Sequence, residues 1–271
     1  MSIVVNTNIG SLNAQRSLAE SGRELSTAME RLSSGKKINS AADDAAGFAI
    51  AERMTAQVRG LNMATKNAND GLAMLATIEN ATNDVTDMLQ RIRELAVQAA
   101  NDTNGSQDRT YLQNEVDSLV AEINRVSSDT VYNDSVVLDG TLSGSLQVGT
   151  ASGQVISFSI DSIDAVELGV DQLDLSDATN AATALTAIDT AIETVAGNRA
   201  GYGALSNRLE YTVSNLMNVA EFTTAARSRI EDADFAAESA RLAKAQVLQQ
   251  TGTAMLAQAN ASSQLAIQLI R

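Results

Sequence analysis

The chain has 271 residues, contains no proline, cysteine, histidine or tryptophan, and carries a formal net charge of −14. Disulfides, thiolate chemistry and imidazole bases or ligands are therefore excluded, and no apolar run approaches the roughly 20 residues of a membrane span. With aromatics at 3%, any core rests on aliphatic side chains and many alanines, and the absence of proline, which costs about 3 kcal/mol inside a helix, favours long helices packed side by side.

In chain order, Thr7 and Asn8 are acceptable caps for a first helix. Leu18, Leu25 and Leu32 then recur every seven residues, with Ala14 and Ala28 alongside, and Ser33-Ser34-Gly35 ends the helix at a natural C′ glycine. A linker, Lys36-Lys37-Ile38-Asn39-Ser40, follows, and Ser40 and Asp43 have cap-like spacing for the next helix. That helix is predicted to run to about Ala100. Met54, Val58, Leu61, Thr65, Ala68, Leu72 and Leu75 alternate steps of four and three, the spacing of a coiled-coil seam. Strict continuation reaches Glu79. The seam takes Ile78 instead, a stammer, and resumes at Thr82, Val85, Leu89, Ile92, Ala96 and Ala99. At 1.5 Å per residue such a helix is about 80 Å long, too long to lie inside one compact domain.

Asn101–Gly105 reads as a turn. Tyr111, Leu112, Val116, Leu119, Val120, Ile123 and Val126 predict a shorter helix near 106–128. From Val136 to Leu175 the pattern changes. Leu146–Val148 and Val155–Ile160 flank Gly149-Thr-Ala-Ser-Gly153, which predicts a single β-hairpin near 140–165. Helix returns near Asp177, with Leu185, Ile188, Ile192, Val195, Tyr202, Leu209, Val213, Leu216 and Ala220 on its seam. Arg199 and Ser206 fall on the same seam and read as polar register positions.

A last helix begins after Asp234. Ala245, Gly252, Ala259 and Ala266 form a stripe of small residues seven apart. Leu248, Met255 and Leu269 flank it on one side, and Leu242, Leu256 and Ile270 on the other. Two readings of the stripe stand at this point: a hairpin with the N-terminal helix of the same chain, or close packing between many copies. The predicted fold is mainly α, a long antiparallel helical bundle or coiled coil with one small β-hairpin and paired N- and C-terminal helices. The predicted division is 1–44 and 235–271 as the two halves of a terminal helical domain, and 45–234 as a second helical domain carrying the hairpin.

Charge follows the same division. Residues 1–44 hold five basic and five acidic groups, and 235–271 hold Arg241, Lys244 and Arg271 against Glu238. Residues 45–234 hold 11 basic and 27 acidic groups. Near-neutral ends on an acidic middle imply ends that enter an assembly and a middle that faces water. No basic patch is present for nucleic acid. Met1–Asn6 lacks the basic and apolar pattern of a Sec-type signal. No catalytic, cofactor or metal constellation stands out. Asp43-Asp44 reads as a pair of helix-start acids favoured by the macrodipole, and the glycines at 197, 201 and 203 follow no strand and precede no P-loop lysine.

Several strings resemble bacterial flagellin. Residues 30–47, Glu-Arg-Leu-Ser-Ser-Gly-Lys-Lys-Ile-Asn-Ser-Ala-Ala-Asp-Asp-Ala-Ala-Gly, are similar to the family's N-terminal signature. Asn67-Ala-Asn-Asp-Gly71, Leu89–Gln98, Ala226–Phe235, Gln246–Gly252, Leu256–Asn260 and the final Leu-Ile-Arg extend the match to nearly everything outside about 140–180. The resemblance implies a short form without large outer domains, a structural subunit and not an enzyme. It implies export through the flagellar type III channel without a cleaved signal, with an export chaperone, and extracellular polymerisation with filament cap and hook-junction proteins as partners. Self-assembly is expected to use Leu18, Leu25, Leu32, Leu242, Ala245, Leu248, Gly252, Met255, Leu256, Ala259, Ala266 and Leu269. The resemblance also implies recognition of the monomer by the innate immune receptor for flagellin, through Leu89, Gln90, Arg91, Glu94, Leu95 and Glu115. The residues themselves allow another role: Leu95 lies near the seam, and Arg91 and Arg93 can pair with acids on a neighbouring copy. A hook–filament junction protein and a secreted coiled-coil binding protein are the alternatives.

Overall fold

A computed structural model describes residues 7–268, and the side chains of residues 7–262. Five helices dominate: α1 (Ile9–Ser34), α2 (Ala45–Ala99), α3 (Ser106–Asp129), α4 (Ala178–Glu231) and α5 (Phe235–Gln268). Four short strands lie between α3 and α4: β1 (Val131–Tyr132), β2 (Ser135–Val136), β3 (Ser143–Gln147) and β4 (Val155–Ser159). Residues Arg59–Glu221 form one compact unit, and the chain on either side of them forms the other. The units divide inside α2 and α4, whereas positions 45 and 235 are where α2 and α5 begin.

The central unit follows the predicted seams. On α2, Leu61, Ala68, Leu75, Ile78, Val85, Leu89, Ile92, Ala96 and Ala99 are buried, as is Thr82, whose hydroxyl donates to the Ile78 carbonyl. On α4, Ile188, Val195, Tyr202, Leu209 and Leu216 are buried. The seam does pass through Ile78, and displaced Glu79 accepts from Nε and Nη2 of Arg199 at 3.0 and 2.6 Å. The two polar positions beside the seams thus satisfy each other.

The expectation of one β-hairpin is corrected to two. The predicted one is present, β3 against β4, with Leu146 opposite Ile156. The strand alternates as a half-covered hairpin must, with Ile156 and Ile160 buried and Val155, Ser157 and Ser159 exposed. A smaller hairpin precedes it, pairing Val131 with Val136 and Tyr132 with Ser135. Asn133 (φ 49°) and Asp134 (φ 64°) form its turn. Both lie in the left-handed region that a type I′ turn needs and that Asn and Asp tolerate.

Both hairpins are seated on the Asn67–Gly71 stretch of α2. Asn67 Nδ2 donates to the Gln147 carbonyl at 3.0 Å, and the Tyr132 hydroxyl donates to the Asp70 carbonyl at 3.1 Å. Gly71 leaves the space that Leu146 fills, and a Cβ there would collide with it. Residues 160–175 are irregular yet bury Ile163, Ala165, Leu168, Val170, Leu173 and Leu175. Buried irregular backbone needs partners, and α3 supplies them. Gln113 accepts from Leu175 N–H and donates to the Leu173 carbonyl, and Asn124 accepts from Ala165 N–H.

Ile188 is fully buried at the centre of this unit. Ile188→Ala is expected to cost about 3 kcal/mol by loss of transfer energy and cavity formation. Denaturant unfolding followed by circular dichroism measures this, and a loss under about 1 kcal/mol would show a site able to collapse.

Candidate functional site

The terminal helices α1 and α5 pair antiparallel. Asn8 is the N-cap of α1, its Oδ1 accepting from Ser11 N–H at 3.0 Å. The same side chain donates through Nδ2 to the Ala259 carbonyl at 2.8 Å, so one residue both starts α1 and ties it to α5. Ser11, Ser21 and Ala28 of α1 are buried in the pairing, and Leu18, Leu25 and Leu32 are half-buried. From α5, Glu238 and Ala245 are buried, and Leu242, Gly252, Leu256 and Ala259 are half-buried.

The small-residue stripe is occupied within the chain. A Cβ on Gly252 would stand 3.3 Å from Leu18 Cδ1, and one on Gly10 would stand 3.8 Å from Ala259 Cβ. Of the two readings of Ala245, Gly252 and Ala259, the structure supports the intrachain hairpin. Leu248 and Met255 lie outside the pairing, 43% and 63% exposed. The Ala266 side chain and Leu269 lie outside the described residues.

At the other end of the hairpin, α1 stops at Gly35 in the left-handed conformation (φ 73°), its N–H donating to the Arg31 carbonyl. Beyond it the two connecting segments pair as a short antiparallel bridge. Lys37 N–H donates to the Glu231 carbonyl at 2.7 Å and Ala233 N–H donates to the Gly35 carbonyl at 2.9 Å. The Lys36 ammonium pairs with Glu231, and Glu238 pairs with Arg241 at 3.1 Å and Arg31 at 3.8 Å. Asp44, not Ser40 or Asp43, caps α2, accepting from the N–H groups of Ala46 and Gly47. Asp43 instead closes the preceding turn, accepting from Ser40 and Asn39 N–H.

On the central unit, α2 and α3 bring Arg91, Glu94 and Glu115 together. Arg91 Nη2 lies 2.8 Å from Glu115 Oε1, and Nη1 lies 3.0 Å from Glu94 Oε2. These bonds, Glu115 first, hold the guanidinium firmly protonated. Gln90, Arg91, Glu94 and Glu115 are exposed, while Leu89 and Leu95 are buried, because the helical period turns them inward. Arg93 pairs with Asp189 at 2.6 Å. Both arginines therefore have partners in their own chain.

Among the described residues no cluster of three or more carboxylates could hold a metal ion, and no helix is long and apolar enough to cross a membrane. What remains is a pair of terminal helices with uncovered apolar flanks and, as a separate unit, a well-packed helical core. The bacterial flagellin N-terminal helical region matches residues 5–143 and the bacterial flagellin C-terminal helical region matches residues 185–270. The chain belongs to the bacterial flagellin family. A flagellin from Halalkalibacterium halodurans is 43% identical over 272 residues, covering 99% of this chain and 100% of that one. A flagellin from Bacillus subtilis is 39% identical over 304 residues, covering 98% and 99%. The crystal structure of Bacillus cereus flagellin aligns with a TM-score of 0.50 at 32% identity, over 56% of this chain and 88% of that one. As a flagellin, the chain is a structural subunit of the extracellular flagellar filament, a helical polymer that serves motility, and of the short form. A junction protein or a soluble coiled-coil binder is not favoured.

The resemblance at Asn67–Gly71 carried no structural role when read as sequence alone. The structure gives it one, the seat of both hairpins. Leu146 facing Gly71 was the missing signal, since contact between a distant strand and a helical glycine leaves no mark on either segment.

The N–H groups of Ser40 and then Asn39 hold the Asp43 carboxyl below the usual aspartate range. A depressed carboxylate stabilises the turn above the unfolded value of about 3.9, and that support is lost as pH falls through the lower folded value. In an NMR titration the Asn39 and Ser40 amides should move together with a midpoint below about 3.9. Asp43→Asn should abolish the step, and a midpoint at or above the ordinary value would contradict the bonds.

Proposed function

We propose that residues 1–44 and 235–271 build the inner tube of the filament and that 45–234 form the layer around it. The α1–α5 hairpin carries this reading. It buries Ser11, Ser21, Ala28, Glu238 and Ala245 and only half-covers Leu18, Leu25, Leu32, Leu242 and Leu256. At roughly 25 cal/mol per Å² of apolar surface, such a seam offsets little of the 1–2 kcal/mol that ordering each residue costs. The terminal helices therefore order when neighbouring copies cover their flanks. A chain with no disulfide and a loosely held terminal pair is suited to passage through the type III export channel without a cleaved signal, with an export chaperone holding the unassembled chain. It then adds beneath a filament cap on a base of hook-junction proteins.

Hydrogen exchange tests the coupling of order to assembly. Isolated subunits should exchange freely at amides of 1–35 and 236–271 while Leu89–Ala99 stay protected, and filaments should protect both. Strong protection of the ends in monomers would sink the coupling. Electron microscopy of purified protein should show long filaments, which a junction protein does not form.

The exposed face of α2 and α3 is the proposed contact for the innate immune receptor. Gln90, Arg91, Glu94 and Glu115 make the touching surface, and Leu89 and Leu95 hold it from beneath. Arg91→Glu should reduce signalling by monomers in receptor-bearing cells by at least about tenfold, in the range of a lost charged contact. Unchanged signalling would discount the assignment.

A further inference from the structure

The turn between α2 and α3 holds the chain's single asparagine–glycine pair, Asn104-Gly105. Asparagine is a thermally labile residue, most of all before glycine, where no Cβ shields the following backbone nitrogen. That nitrogen can attack the asparagine Cγ. An N–Cγ bond forms, the Cγ–Nδ2 bond breaks, and ammonia leaves with the amide proton, so a cyclic imide remains. Water then opens either imide carbonyl. The products are aspartate and its isomer, in which the backbone runs through the side-chain carbon. Water is the sole co-reactant and nothing is oxidised.

In the folded turn both reacting groups are held by other partners. Asn104 Nδ2 donates to the Gln98 carbonyl, at the end of α2 where carbonyls lack helical N–H partners. The Asn104 side chain must leave that bond before its Cγ can meet the next nitrogen. The Gly105 N–H donates to Asp108 Oδ2 at 3.1 Å. A carboxylate there opposes loss of the amide proton, because it disfavours a second negative charge beside it. Arg109 closes the turn around them, Nε donating to the Ala99 carbonyl at 2.9 Å and Nη2 to the Asn101 carbonyl at 3.2 Å. Asn104 is half-buried, and Gly105 and Asp108 are exposed. The turn can therefore open locally while the core stays closed.

We propose that Asn104 is a self-modification site, which deamidates through a cyclic imide with Gly105 whenever the α2–α3 turn opens and which the folded turn keeps unreacted. Either product lacks the Nδ2 donor, so the Gln98 carbonyl loses that bond. The isomer also lengthens the backbone between α2 and α3. The converted fraction records how long a chain has spent with this turn open.

The test is incubation of the purified full-length chain in mildly alkaline buffer, with and without guanidinium chloride, followed by mass spectrometry of the tryptic peptide 94–109. That peptide also contains Asn101, which precedes Asp102 and serves as an internal reference. In denaturant Asn104 should convert at least about tenfold faster than Asn101, whose neighbour carries a Cβ. Gly105→Ala should remove that advantage in denaturant, where folding plays no part. In native buffer Asn104 should convert at least about tenfold more slowly than in denaturant, since reaction awaits local opening. Asp108→Ala, with its helicity checked by circular dichroism, should convert at least about threefold faster than the unaltered chain in native buffer, the range of one lost hydrogen bond. Equal conversion of Asn104 and Asn101 in denaturant overturns the site. Equal rates with and without denaturant, or a folded Asp108→Ala no faster than the unaltered chain, overturn its protection by the turn.

Discussion

The approach of Leu18 to Gly252 governs the terminal half of the molecule. A Cβ at Gly252 would stand 3.3 Å from Leu18 Cδ1, a tight contact to which the leucine would have to yield by a few tenths of an ångström. Two other features depend on the closeness. Asn8 reaches the Ala259 carbonyl only because the backbones are near, and Arg31 reaches Glu238 at the opposite end for the same reason. The seam buries Ser11, Ser21, Ala28 and Ala245 and half-buries Leu18, Leu25, Leu32, Leu242 and Leu256. Leu248 and Met255 lie on its flank. Close pairing within one copy thus leaves an apolar flank uncovered.

Stability is distributed accordingly. Among the described residues the largest fully buried side chains, including Ile78, Leu89, Ile92, Leu95, Ile123, Leu138, Ile160, Ile163 and Ile188, all belong to Arg59–Glu221. The terminal hairpin contributes none of them. Local opening free energies follow buried apolar contact, so the central unit opens at greater cost than the terminal hairpin. The joint between the connecting segments is mostly backbone hydrogen bonding around a single buried side chain, Ile38, together with the Lys36–Glu231 pair. Such a joint fixes the pairing of the two segments without adding a second large core.

The helices were legible in the sequence because heptad spacing survives over many turns and each boundary carries its own chemistry: Asn8 before α1, Gly35 after it, Asp234 before α5. Even the stammer at Ile78 could be placed, since Glu79 breaks the pattern where Ile78 resumes it. The second hairpin was not legible. Two-residue strands have no period to detect, and the Asn133-Asp134 turn was the single mark available. The role of the small-residue stripe was ambiguous for a different reason. Seven-residue spacing shows that something packs closely on α5, but not whether the partner is α1 of the same copy or of another. That choice rests on Leu18 meeting Gly252, a contact between residues at opposite ends of the chain.

One stretch of α2 must serve inside and outside at once. Between Leu89 and Ala99 the helical period sends Leu89, Ile92, Leu95, Ala96 and Ala99 into the core and leaves Gln90, Arg91, Arg93, Glu94 and Gln98 outside. The outer face is not left loose. Arg91 is tied to Glu115 on α3, and Arg93 to Asp189 on α4, so the exposed charges are spread over three helices that share a core. Each pair is solvent-exposed and contributes little stability by itself. What the pairs supply is fixed position: a guanidinium held between two carboxylates presents one arrangement of charge to whatever meets it. Changing Leu89 or Leu95 would move that surface from beneath without touching any of its charged groups. The inward residues are therefore positioning residues for the outward ones, and the two sets cannot vary independently.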